Sequence, residues 1–156
     1  MTDFLADLAA TLIRNGSVPP DAIRGCTDAE INALMAAQNV TTLPTTFRKF
    51  LSYTGRNPYW FSRNDEADYE WLLDAKQYAR ETVEEYGHDF TEFEGAFIFQ
   101  THHDYMFHYF RTEDLTLPDP HFWVFRGDSP PERSEVAFSQ HLRLWAEYRV
   151  RPDYPG

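Results

Sequence analysis

Apolar residues recur along this chain with two periods, and the change between them organises it. In the first half the spacing is helical. Phe4, Leu5, Leu8, Leu12 and Ile13 share a stripe that Asn15-Gly16 stops, which predicts an N-terminal helix. "SVPPDAIRG" follows as a connector punctuated by Pro19-Pro20. In "CTDAEI", Thr27 can cap a helix while Glu30 reaches back to its amide, and Cys26 and Ile31 hold the staple positions around that cap. Ile31, Leu34 and Met35 continue the stripe. "LPTTFRKFLSYTG" predicts a further helix, with Pro44 in its first turn, Phe47, Phe50 and Leu51 buried, and Gly55 at its exit. "PYWFSR" reads as a short strand. "DEADYEWLLDAKQYARETVEEYG" reads as one long helix ending near Gly87, with Leu72, Ala75, Ala79 and Val83 inward and a charged outer face.

From Phe93 the period falls to two. "GAFIF", "YMFHYF" and, after the "LPDP" turn, "HFWVFR" are strands, "GDSPPERS" is a loop, and "AFSQHLRLWAEYR" closes the chain as a helix with Phe138, Leu142 and Trp145 inward. Helices, then strands, then a helix predict an α+β domain whose antiparallel sheet carries helices on one face.

Composition narrows the function. The chain has 156 residues, enough for one domain with a sizeable core, and its 17% aromatic content argues against disorder. The formal net charge is −11 and no run of Lys or Arg exceeds two, so direct nucleic-acid binding is not expected. An acidic surface favours a basic protein partner and rapid association with it. One cysteine, Cys26, makes no internal disulfide and reads as a small buried hydrophobe, as expected of a cytoplasmic protein. The N-terminus does not read as a signal peptide, and no apolar run is long enough to suggest a membrane span.

Candidate chemistry centres on "AFIFQTHHDYMFHYF", which holds His102, His103 and His108. A hairpin turning at His103-Asp104 puts Phe97, Phe99, Thr101, Met106, His108 and Phe110 on one face. Ile98, Gln100, His102, Tyr105, Phe107 and Tyr109 fall on the other, and no three ligands converge. A three-residue loop would instead place His102 opposite Met106 and bring His102 and His108 onto one face, about 7 Å apart on the diagonal. Neither arrangement supplies an evident third ligand, so no metal or cofactor is expected. The greasier first face should meet the helices. The second, if left open, is an aromatic patch of the kind enriched at binding hot spots, whereas the blander alternative is that the chain's own loops cover it. The chain has no Gly-x-Ser-x-Gly, His-Glu-x-x-His or P-loop motif, and its paired carboxylates, such as Asp65-Glu66, are sequence neighbours that point apart. No catalytic residue is assigned.

The order of several segments resembles the SUKH superfamily, which includes a fungal cell-wall-synthesis regulator and many bacterial immunity proteins. The resemblance rests on "CTDAEINALMAAQNVTTLPTTFRKFLSYTGR", "DYEWLLDAKQYARE", "GAFIFQTHHDYMFHYF", "DPHFWVFRGD" and "VAFSQHL", and spans about Arg24 to Leu142. The helix-Leu-Pro-helix opening is similar to Ile31–Gly55, the strand-turn-strand to Ala96–Phe110, and the closing helix to Phe138-Ser139. The tip His102-His103-Asp104-Tyr105 departs from the glycine-rich or His-Gln-Gly-Tyr turns of many relatives. The resemblance divides the chain into an N-terminal helical extension and connector (1–23), a SUKH-like domain (24–149) and a tail (150–156).

The resemblance implies a non-catalytic cytoplasmic protein that neutralises a toxin, such as a nuclease or deaminase, by binding it. A cytosolic scaffold or regulatory interaction module is the alternative, and a His-dependent metal hydrolase a further one. For a binding protein, the expected anchors are Tyr105, Phe107 and Tyr109, with Asp65, Glu66, Asp68 and Asp104 as a charged rim.

Overall fold

Thr27 begins the second helix as the sequence predicts. Its hydroxyl accepts from the Glu30 amide, and the Glu30 carboxylate accepts from the Thr27 amide at 2.9 Å, a reciprocal pair that satisfies two otherwise orphaned donors. Glu30 also pairs with Arg56, tying this cap to the end of the next helix. The structure is a computed structural model. It describes residues 4–149 apart from 17, 20, 22, 59–65 and 104. The strand expected at "PYWFSR" lies, after Pro58, outside the described residues.

The elements run α1 (Phe4–Arg14), α2 (Asp28–Ala37), α3 (Thr45–Thr54), α4 (Tyr69–Leu72), α5 (Ala75–Glu85), β1 (Phe97–His102), β2 (Met106–Phe110), β3 (His121–Arg126), β4 (Ser129–Ala137) and α6 (Phe138–Arg149). A 3-10 turn over Phe90–Phe93 leads into β1. The four strands form an antiparallel meander in the order β1-β2-β3-β4. The α+β class and the antiparallel sheet are as the sequence predicts.

Three local expectations change. The single long helix is two, because the chain breaks at Leu73-Asp74 between α4 and α5. "GDSPPERS" is mostly strand: Gly127-Asp128 make the turn, with Gly127 at φ +60°, and β4 pairs with β3 from Ser129 onward. Pro130 and Pro131 have no amide to donate, and they are tolerated because β4 is an edge strand paired on one side only. The third change is in the hairpin. His102 lies opposite Met106 and Gln100 opposite His108, the register of a three-residue loop, yet Ile98 lies opposite Tyr109 and Phe97 opposite Phe110. A β-bulge at Phe99 absorbs the difference and moves Thr101 to the same face as Phe107.

Helical segments cover both faces of the sheet rather than one. On the first face Phe47 of α3 sits with its ring 5.2–5.9 Å from those of Phe50, Phe97, Phe99, Phe110 and Phe138. On the second, Phe93 packs against Phe107, Tyr109 and Phe125. The buried Ala79 and Val83 bring α5 over β1. Rings alternate to both sides of β2, so each face needs its own cover. Helix α1 packs on α6, burying Leu5, Ala9 and Leu12, with Arg143 over the Phe4 ring.

The outer side of β1 is closed by groups from outside the sheet. The Gln38 amide is fully buried, accepts from the Ile98 N–H at 2.7 Å and donates to the Ile98 carbonyl at 2.8 Å and the Leu72 carbonyl at 3.0 Å. Beyond the bulge, Glu66 and Thr101 exchange both backbone hydrogen bonds at 2.9 Å.

Candidate functional site

The described residues among those expected to bind a partner do not form one surface. Tyr105 is exposed, at 45% of its full area, at the hairpin tip beside His102 and His103. Phe107 and Tyr109 are 1% and 4% exposed, so they are core residues and not anchors. Phe107 stacks on Phe125 at 4.9 Å. Burial pushes the Tyr109 phenol well above its usual range. The expectation of an open aromatic face fails because α5 and the Phe90–Phe93 turn lie on it.

The acidic rim resolves differently. Asp65 and Asp104 lie outside the described residues. Glu66 is half-buried and its carboxylate accepts from the Thr101 hydroxyl at 3.1 Å. Asp68 is the N-cap of α4 and accepts from the Trp71 amide. Both therefore build the scaffold as well as adding charge.

Among the described residues no group of three or more His, Cys, Asp or Glu is placed to hold a metal. The His102 and His103 rings meet edge to face, their centres 4.3 Å apart, at the tip, where His103 takes φ +53°. His108 is instead half-buried on the first face among Phe99, Phe122 and His141, with its Nδ1 enclosed. Burial, and then the nearby charges of His141, Arg126 and His102, push its pKa down to about 3, so it is neutral. Its Nδ1 finds no hydrogen-bond partner among the described residues. Burial also pushes the Cys26 thiol up to about 11, which removes it as a nucleophile near neutral pH.

What the structure does bring together is a cleft of about 340 Å³ between α5 and the hairpin tip. Its α5 wall is the stripe Tyr78, Glu81, Thr82 and Glu85, and the hairpin supplies Thr101, His103 and Met106 over a floor of Phe107. Trp71 closes one end, its ring 4.6 Å from that of Tyr78. Trp71 is fixed in place: its indole N–H donates to the Thr101 hydroxyl at 2.9 Å, which in turn donates to Glu66. The bulge at Phe99 makes this contact possible by turning Thr101 toward the helix. The cations of α5 face the other way. Lys76 donates to the Glu94 carbonyl at 2.6 Å, and Arg80 pairs with Glu84 and Glu94 over the Phe90 ring.

Sequence reasoning identified the charged outer face of this helix but not its division. Positions 78, 81, 82 and 85 follow helical spacing on one flank of the buried stripe, while 76, 80 and 84 follow it on the other. That periodicity was legible; which flank meets the hairpin was not.

Among the described residues, no helix is long and apolar enough to cross a membrane. Comparison with family models, curated proteins and solved structures finds no match to this chain.

Proposed function

We propose that this is a non-catalytic cytoplasmic protein of the immunity type, which binds a toxin domain and neutralises it through the face formed by α5 and the hairpin tip. The observation that supports this reading is the cleft between those two elements, where aromatic walls and two carboxylates are held on a rigid scaffold. A binding interface needs anchoring pockets and a complementary field, and no reacting group. The net charge of −11 adds long-range attraction for a basic partner such as a nuclease. The order of segments that resembles the SUKH superfamily points to the same class.

The test begins with the neighbouring genes: a toxin domain encoded there is co-expressed with this protein, and the absence of one counts against the reading. Survival of the producing cells, with a tight complex between the purified proteins, is the expected result. Tyr105→Ala should then weaken the complex by about 2 kcal/mol without changing the fold. Undiminished toxicity, or turnover of the toxin's substrate by this protein, would overturn the reading.

A further inference from the structure

The cleft has a chemistry more specific than acidic. Its α5 wall carries Glu81 and Glu85 one turn apart, on the same flank as Tyr78, so two carboxylates can converge on one cation. They stand on the last turns of α5, which holds no basic residue in its final turn. The negative end of the helix dipole therefore adds to the carboxylates instead of being offset by the chain. Lys76 and Arg80, the cations of α5, are engaged with Glu94 and Glu84 on the opposite flank. Beside the carboxylates, Trp71 and Tyr78 offer aromatic rings, and Trp71 is locked by its bond to Thr101. Such rings attract a cation by their quadrupole, and a planar guanidinium can both stack on them and pair with carboxylates. An ammonium can pair but cannot stack.

We infer that this cleft receives one arginine side chain of the protein partner, its guanidinium seated on the Trp71–Tyr78 wall and paired with Glu81 and Glu85. The inference rests on the neutralisation reading for the existence of that partner; the selectivity of the cleft can be measured without it.

The experiment is an NMR titration of the full chain with the peptide acetyl-Gly-Arg-Gly-amide and its lysine and citrulline counterparts. The arginine peptide should shift the Trp71 indole N–H and the Glu81 and Glu85 amides. The lysine peptide should bind about threefold or more weakly, and the citrulline peptide should leave these signals in place. Glu81 and Glu85 are exposed, so the double variant Glu81→Gln/Glu85→Gln should fold normally, checked by its thermal unfolding. It should bind the arginine peptide about tenfold more weakly. Equal response to citrulline or lysine, shifts confined to other surfaces, or an unweakened double variant would overturn the inference. With the toxin domain the two ideas separate. Equal binding by wild type and double variant removes the guanidinium contact and leaves neutralisation standing. A toxin that ignores the wild-type protein, while the arginine peptide still seats in the cleft, removes neutralisation and upholds the cleft's selectivity.

Discussion

Phe107 and Tyr105 are two positions apart on one hairpin and have opposite fates. The Phe107 ring is enclosed by Phe93, Tyr109 and Phe125. Phe107→Ala should lower unfolding stability in urea by about 4 kcal/mol, through lost burial and the cavity left behind. Tyr105→Ala should leave stability within about 0.5 kcal/mol. A small effect at Phe107 would contradict the covered second face. His108 makes a prediction in pH. Its pKa of about 3 in the folded chain lies below the ordinary histidine value near 6.5, so the unfolded chain binds the extra proton first. Stability should therefore fall as pH drops from about 6.5 toward 3, by up to a few kcal/mol. His108→Phe should flatten that slope relative to the wild-type chain, measured by urea unfolding between about pH 7 and pH 4. Parallel slopes would mean that the imidazole is hydrated. At this scale the sequence was informative about identity and poor about side: Phe107 was recognisable as a large ring, but its burial depended on an element some fourteen residues away, Phe93.

At the scale of elements, the helix starts and the β-rich centre were legible because caps and periodicity are local. Thr27 and Glu30 needed only each other. The break at Leu73-Asp74 and the edge strand β4 were not legible, since the first interrupts an unbroken apolar stripe and the second is written in turn residues. The hairpin register was the costliest ambiguity. Strict alternation fits either loop length, and only the bulge at Phe99 lets both registers coexist. That bulge decides where Thr101 points and so whether Trp71 can be anchored. The candidate cleft could not have been assembled from the sequence for this reason. The edge of β1 gives a sharp test of a long-range contact. Gln38→Met keeps much of the side-chain volume but leaves the Ile98 N–H and carbonyl without their buried partners. It should cost about 3 kcal/mol in urea unfolding, whereas an effect below about 1 kcal/mol would show the edge to be satisfied another way.

At the scale of the whole molecule, the N-terminal helix shares contacts with the last one. Leu5 and Leu12 are buried and α1 lies on α6. Leu12→Ala should lower stability by about 3 kcal/mol, as in a core position, rather than by the few tenths expected of a loosely attached arm. A thermal melt compared with that of Thr11→Ala, a neighbour that is only part-buried, separates the two outcomes. The sheet carries a last consequence. On one rim, Ile98 and Thr101 are already occupied by Gln38 and Glu66. The opposite rim, β4, presents two prolines and the charges of Glu132, Arg133 and Glu135. Among the described residues both borders are therefore poor templates for strand addition by a second copy, the arrangement by which edge strands nucleate fibrils.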